Sequence, residues 1–171
     1  MDLKSKLRHV MNFPKEGIDY IDITTVLQDP ASLNEAINQM KSATEKFGDF
    51  DLIVAPEARG FIFGVPLAFQ LNKGFVPVRK KGKLPYKTMS MEYSLEYGTS
   101  ILEMHEDAIK KGQKVVIVDD LMATSGTTEA IIRLVEKMGG QVAGIVIFVE
   151  LEFLKGREKL KNYNVSSVVK L

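Results

Sequence analysis

The sequence contains no cysteine. Disulfides, thiolate metal sites and a cysteine nucleophile are therefore excluded together. It also lacks an excess of one charge: 23 Lys and Arg stand against 22 Asp and Glu, a net charge of +1. No field of a single sign covers such a chain, which argues against a general nucleic-acid binder. No run approaches the roughly 18 apolar residues of a membrane span, and Met1–Leu7 has no apolar leader-like stretch. The expectation is a cytoplasmic protein with neither membrane nor nucleic-acid partners. Three familiar motifs are missing as well. Gly82-Lys83 is followed by Leu84 and does not complete a Gly-x-x-x-x-Gly-Lys-Ser/Thr loop. There is no Gly-x-Gly-x-x-Gly after a strand, and no Gly-x-Ser-x-Gly elbow. Two histidines, His9 and His105, lie far apart and suggest neither a metal set nor a triad.

What is present is an ordinary globular composition, 45% hydrophobic and 26% charged, over 171 residues. That length suits one domain over residues 1–171, able to bury roughly 70% of its unfolded surface. Short β-branched runs alternate with stretches of helical period. Asp51–Ala55, Phe75–Val78, Lys114–Val118, Val142–Val149 and Val165–Val169 read as buried strands. Ser32–Phe47, Gly60–Leu71 and Thr127–Met138 read as helices, the last with Ile131, Leu134, Val135 and Met138 on one face. This alternation predicts an α/β fold with a mostly parallel sheet flanked by helices. A further helix is expected from about Leu3 to Met11. Residues 80–97 break the pattern with lysines, Gly82, Pro85 and Met91–Tyr97, and read as a long irregular functional loop.

One segment carries chemistry. Val115–Val118 is a central strand, Asp119-Asp120 stands at its C-terminal end, and Leu121–Thr128 is a bendable stretch leading into a helix. Ligands of open parallel sheets bind outside the carboxyl ends of the strands. A small-residue loop at a helix N-terminus gathers backbone N–H groups and positive dipole at one point, which suits a phosphate monoester. Two carboxylates would repel that phosphate. They fit vicinal hydroxyls, or magnesium held through water. Phosphate and diol one pentose apart describe a ribose 5-phosphate.

Val115–Thr128 resembles the phosphoribosyl pyrophosphate signature of type I phosphoribosyltransferases. Further segments resemble the adenine branch of that family: Phe13-Pro14 with Asp22-Ile23-Thr24, Glu57–Phe61, Val78–Pro85, Tyr93–Gly98 and Leu154–Leu160. The resemblance implies a hood over about residues 1–30, a mobile flap over about 80–98, and a homodimer. It implies transfer of a phosphoribosyl group to adenine, with Mg²⁺ held through substrate and water and no direct protein metal ligand. It also implies roles for particular residues. Ala123, Thr124, Ser125, Gly126 and Thr127 would cradle the 5-phosphate, and Asp119 and Asp120 would take the ribose hydroxyls. The Glu57–Ala58 peptide would be cis and face pyrophosphate, with Arg59 nearby. Arg79, Lys80 and Lys83 would neutralise pyrophosphate, at least one of them across the dimer. Tyr20 and Leu121 would sandwich the purine, read by backbone near Asp19. Glu96 would approach the imidazole side of the base, and Tyr97 would help close the flap. Enzymes acting on 6-oxopurines or orotate are alternatives, but Val149–Lys155 lacks the lysine-aromatic character of the 6-oxopurine branch. A non-catalytic phosphoribosyl pyrophosphate sensor is a second alternative. It would need a DNA-binding domain, for which the core elements leave no room.

Overall fold

A computed structural model describes every residue except Glu96 and Tyr97. The chain divides into two compact units, Met1–Gln39 and Met40–Leu171.

The first unit begins with a 3-10 turn at Lys4–Lys6, then strand β1 (Arg8–Met11) pairs antiparallel with β2 (Asp19–Asp22). The expected helix over Leu3–Met11 is therefore not formed. Leu3 and Leu7 are buried as a helical period would have them. Arg8–Met11, however, pairs with residues about ten positions further on, and the backbone hydrogen bonds go there instead. The connection turns on two left-handed residues, Asn12 and Gly17, with Gly17 N–H donating to Asn12 Oδ1 at 2.8 Å. Helix α1 (Thr24–Gln28) opens where the Asp22 carboxylate accepts the Thr24 N–H at 2.9 Å. Helix α2 (Pro30–Glu45) opens in the same manner, with Asp29 Oδ2 accepting the Ser32 N–H at 3.1 Å and its hydroxyl at 2.5 Å. These bonds, the Ser32 hydroxyl foremost, hold Asp29 below the usual carboxylate range.

The second unit contains a seven-stranded sheet. Its strands are β3 (Leu52–Pro56), β4 (Gly74–Lys80), β5 (Thr88–Leu95), β6 (Gly98–His105), β7 (Lys114–Met122), β8 (Gln141–Glu150) and β9 (Val165–Lys170). Their order across the sheet is β5-β6-β4-β3-β7-β8-β9. Pairs β3–β4, β3–β7, β7–β8 and β8–β9 are parallel; β4–β6 and β5–β6 are antiparallel. Helix α3 (Arg59–Gln70) crosses from β3 to β4, and α4 (Gly126–Lys137) crosses from β7 to β8. The expected mostly parallel, helix-flanked sheet is thus observed.

Both faces of the sheet are covered, which is why its central strands read as unbroken apolar runs. On one face Ile131, Leu134 and Val135 of α4 pack with Val115, Ile117, Ile145 and Ile147, and Met138 lies against the cluster. Elsewhere Phe63 of α3 meets Phe148 of β8 with ring centroids 4.9 Å apart. The segment expected to be irregular, residues 80–97, is ordered over most of its length. Thr88–Leu95 and Gly98–His105 form an antiparallel hairpin on the sheet edge, in continuous register from Thr88↔His105 to Leu95↔Gly98. Met89, Met91 and Tyr93 alternate along β5 and turn toward the core.

Candidate active site

The strand order fixes where a site can form. From β3 the chain moves outward to β4 on one side, while β7 lies on the other. At such a switch point the connections leave in opposite directions and open a crevice at the carboxyl ends. Those ends are Pro56 of β3, with Glu57-Ala58 following it, and Asp119–Met122 of β7.

After Met122 the chain turns through Ala123–Ser125 into α4. Ser125 adopts a left-handed backbone at φ 70°, ψ 9°. For a residue with a Cβ this costs roughly 1–2 kcal/mol. Such a turn points successive N–H groups into one concavity. The first-turn N–H groups of α4 have no intrahelical acceptors and point the same way. Ser125 is 5% exposed, and its hydroxyl has no hydrogen-bond partner among the described residues. The loop lines a cavity of about 460 Å³, together with Ser94, Leu95, Asp119, Leu121, Met122, Thr128 and Leu154. Gly126 lies so close to the hairpin that an added Cβ would sit 3.3 Å from the Ser94 carbonyl oxygen.

A second cavity of about 230 Å³ is lined by Pro56–Arg59, Lys80, Tyr93, Leu102, Asp119–Leu121 and Thr127. Asp119, Leu121 and Thr127 line both cavities, so the Asp119 carboxyl stands where they meet. Gly60 permits this arrangement. A Cβ there would fall 2.9 Å from Pro56 and 3.1 Å from Asp119 Oδ1, so α3 could not start beneath the carboxyl.

The two aspartates differ. Asp120 is 4% exposed and pairs with Arg59, Nε to Oδ2 at 2.9 Å. Asp119 Oδ1 accepts the Asp120 N–H at 2.9 Å. Burial, then the adjacent Asp120 charge, pushes the Asp119 carboxyl well above the usual carboxylate range. Burial also raises Asp120, and Arg59 pulls it back.

The basic side chains expected at pyrophosphate are organised by Glu57. Its carboxylate accepts the Lys80 N–H at 2.8 Å, Arg79 Nε at 3.3 Å and Lys83 Nζ at 3.1 Å. Burial pushes Glu57 up, but the Lys80 N–H and the Lys83 and Arg79 charges outweigh it and hold the carboxyl low. Lys80 lines the second cavity, whereas the Arg79 and Lys83 side chains are held on Glu57. The Glu57–Ala58 peptide is cis. Gly82 N–H donates to buried Glu103 Oε2 at 3.0 Å, fixing the turn that carries these cations.

In the first unit, Tyr20 lies on β2 with its ring edge-on to Phe13 at 5.2 Å. Asp19 Oδ2 is 2.7 Å from His9 Nδ1. The site residues Glu96 and Tyr97 lie outside the described residues. Several contributors escaped the sequence reading, among them Ser94 and Leu95 of the hairpin, Leu154, and Glu57 as the organiser of the cations. For the hairpin a signal existed, in the period-two alternation of Met89, Met91 and Tyr93. Leu154 and Glu57 act over separations that no local pattern reports.

A profile of the phosphoribosyl transferase domain matches residues 22–171. The chain is 71% identical over 169 residues, 99% of each chain, to adenine phosphoribosyltransferase of Acetivibrio thermocellus. The chain belongs to the adenine phosphoribosyltransferase family. Solved members share its fold. The enzyme of Thermoanaerobacter pseudethanolicus is 54% identical with a TM-score of 0.95, over 99% of this chain and 98% of that one. That of Saccharomyces cerevisiae, crystallised with an imino-altritol bisphosphate and adenine, is 40% identical with a TM-score of 0.93, over 98% and 96%.

Proposed function

We propose that the protein transfers the 5-phosphoribosyl group of phosphoribosyl pyrophosphate to adenine in purine salvage, giving AMP and releasing pyrophosphate. The observation that carries this reading is the pair of cavities joined at Asp119, one walled by an anion-binding turn and the other by Glu57–Arg59 and Lys80. A molecule with phosphate at one end, a diol in the middle and pyrophosphate at the other matches that sequence of surroundings. The 5-phosphate goes to Ala123–Thr127, the ribose hydroxyls to Asp119 and Asp120, and pyrophosphate to the second cavity. Lys80 faces it there, and pyrophosphate competes with Glu57 for Arg79 and Lys83. We retain the expectation that one of these cations acts across the dimer.

Displacement at C1′ passes through an oxocarbenium-like state while charge leaves on pyrophosphate. The protein's contributions are placement, fixed positive charge and exclusion of water. Arg59, held by Asp120, directs a positive charge toward the leaving group. Leu121 offers an apolar surface to the base, and Tyr20 and the backbone near Asp19 recognise it. Glu96 is assigned the imidazole side of the base and Tyr97 the closing of the flap.

Mg²⁺ fits this site in one way. Among the described residues no group of three His, Asp or Glu could hold an ion alone. Burial destabilises the charged forms of both Asp119 and Asp120, and the Asp120 charge adds to this at Asp119. A hydrated cation held there through substrate and water would relieve that repulsion. When bound, Mg²⁺ neutralises charge on the diphosphate.

A homodimer agrees with α3, where Ile62, Val65 and Phe69 follow one face and Phe69 is 87% exposed. No helix among the described residues is long and apolar enough to cross a membrane. We place the enzyme in the cytoplasm. Turnover of adenine, hypoxanthine, guanine and orotate, each with phosphoribosyl pyrophosphate and Mg²⁺, tests the reading; no transfer to adenine would overturn it.

A further inference from the structure

Of the segment after β8 only Leu154 has entered the site above, yet the residues that follow it lie against the phosphate turn. Two short 3-10 turns, Glu152–Leu154 and Gly156–Leu160, meet at Lys155, which is left-handed at φ 53°. Gly156 follows, and it is buried. A Cβ at Gly156 would fall onto the Ala123 carbonyl oxygen and within 2.6 Å of Ser125 Oγ. Ala123 and Ser125 are the two residues around which the phosphate turn bends, and Ser125 carries the left-handed backbone. A carbonyl oxygen and a buried hydroxyl thus rest on the bare Cα of one glycine. Only a residue without a side chain lets the turn sit at this depth.

Gly156 is held in place from the other side. The Arg157 guanidinium forms a fork with both Glu150 oxygens, Nε to Oε1 at 2.9 Å and Nη2 to Oε2. It also donates to the Val165 carbonyl at 2.7 Å and to Ser167 Oγ at 3.1 Å, while the Ser167 hydroxyl donates to Glu150 Oε2 at 2.5 Å. Glu150 is 3% exposed and stands opposite Met122, the last residue of β7 before the phosphate turn. Leu160, 1% exposed, anchors the far end of the segment in the core. Arg157 has bonds to three partners in a fixed plane, which a lysine cannot reproduce.

We propose that Gly156, clamped by Arg157 on Glu150 and Ser167, is a buttress that sets the shape of the phosphate turn, so that these are positioning residues for phosphoribosyl pyrophosphate. The proposal rests on the phosphoribosyl reading of the turn. Its signature is selective. Disturbing the buttress weakens capture of the ribose phosphate through Ala123 and Ser125 and leaves adenine capture intact, whereas general loss of stability would lower both through the active fraction. A second signature follows from the contact itself. Removing the Ser125 side chain takes away one of the two atoms that an added methyl strikes and lets the turn readjust, so the two sites couple.

The experiment is calorimetric binding of ribose 5-phosphate, with steady-state kinetics on the same preparations of the full chain. Gly156→Ala is expected to bind ribose 5-phosphate at least tenfold more weakly and to raise KM for phosphoribosyl pyrophosphate by a similar factor, with KM for adenine within twofold. Ser125→Gly should weaken ribose 5-phosphate binding at least threefold less in the Gly156→Ala background than in the parent chain. Arg157→Lys should weaken ribose 5-phosphate binding at least threefold, and it carries the test if Gly156→Ala does not fold. Unchanged ribose 5-phosphate binding in the folded variants, equal rises in both KM values, or additive effects of Ser125→Gly and Gly156→Ala would each overturn the buttress. Failure of the unsubstituted protein to bind ribose 5-phosphate is a different result, and it overturns the reading of the turn itself.

Discussion

Arg59 Nε lies 2.9 Å from Asp120 Oδ2, at the place where the β3 and β7 ends diverge. This pair makes the two adjacent acids chemically unequal. Asp120 has its cation, while Asp119 lines both cavities, accepts the Asp120 N–H on Oδ1 and has a like charge beside it. Asp119 is therefore the carboxyl most open to a ribose hydroxyl, and Asp120 the one that holds Arg59 toward the leaving group.

Neutralising either acid should damage turnover more than folding. Asp119→Asn and Asp120→Asn are each expected to lower kcat by roughly 10²–10³, the scale for one lost preorganised electrostatic contact. Circular dichroism should stay unchanged. Near-normal kcat in both variants would refute the placing of the ribose.

The same acids predict an unusual pH dependence of stability. Burial raises both folded-state values, Asp119 the more strongly. A folded carboxyl that binds protons more tightly than the unfolded one favours folding below the unfolded value near 3.9, and loses that contribution as pH rises through the folded value. At neutral pH without ligand, Asp119→Asn should therefore raise Tm, by roughly 2–4 °C for each kcal/mol of repulsion relieved. It should also flatten the fall of Tm as pH rises above the unfolded carboxyl value. A lower Tm for Asp119→Asn at pH 7 would show that the charge is not strained in the free protein.

Much of this site was legible before any fold was known, because its parts are contiguous. Val115–Val118, the acids, the turn and α4 lie in one stretch, so strand, switch and anion turn could be read in order. Ile131, Leu134, Val135 and Met138 share a face as their spacing demands. The failures have a common cause. Leu3 and Leu7 are spaced as on a helix, but pairing of Arg8–Met11 with Asp19–Asp22 is a tertiary choice that local period does not encode. Residues 80–97 looked irregular because lysines and acids masked the alternation of Met89, Met91 and Tyr93. Glu57 reaches Arg79 and Lys83 across more than twenty residues, and only the sheet brings them together.

The hairpin should behave as a lid anchored at its base. Met89, Met91 and Tyr93 pack on the core, while Ser94, Leu95, Gly98 and Thr99 are exposed. Amide exchange of Met89–Met91 and Leu102–Met104 should be slow with or without substrate. Exchange at Ser94, Leu95, Thr99 and Ser100 should be fast in the free enzyme and slow at least tenfold with phosphoribosyl pyrophosphate bound. Equal protection in both states would make the hairpin a fixed wall.

The exposed stripe on α3 predicts an association phenotype. Phe69→Glu places a charge where Ile62, Val65 and Phe69 would be covered by a second copy. Light scattering should give a dimer for the parent chain and a shift toward monomer for the variant, with activity falling as the protein is diluted. A parent chain that is monomeric at micromolar concentration would remove the dimer from the account.

Base selectivity is the most demanding test of the proposed activity. Adenine offers a donor amine at position 6 and an acceptor at N1; hypoxanthine offers an acceptor carbonyl and a donor at the same places. Backbone near Asp19 that supplies one N–H and one C=O suits the first pattern and opposes both groups of the second. Strand β2 is well placed to keep such groups fixed, since it pairs with β1 from Met11↔Asp19 to Arg8↔Asp22 and His9 holds the Asp19 carboxylate at 2.7 Å. Leaving a buried hydrogen-bonding group unpaired costs on the order of 1–3 kcal/mol. Two such groups amount to roughly 2–6 kcal/mol, and each 1.4 kcal/mol is a factor of about ten. Adenine should therefore exceed hypoxanthine, guanine and xanthine in kcat/KM by at least about a hundredfold, within the range that sites reading such groups achieve. Tyr20→Ala should raise KM for adenine severalfold while leaving KM for phosphoribosyl pyrophosphate near its parent value. Comparable kcat/KM for an oxopurine would discard the adenine assignment and leave phosphoribosyl transfer standing.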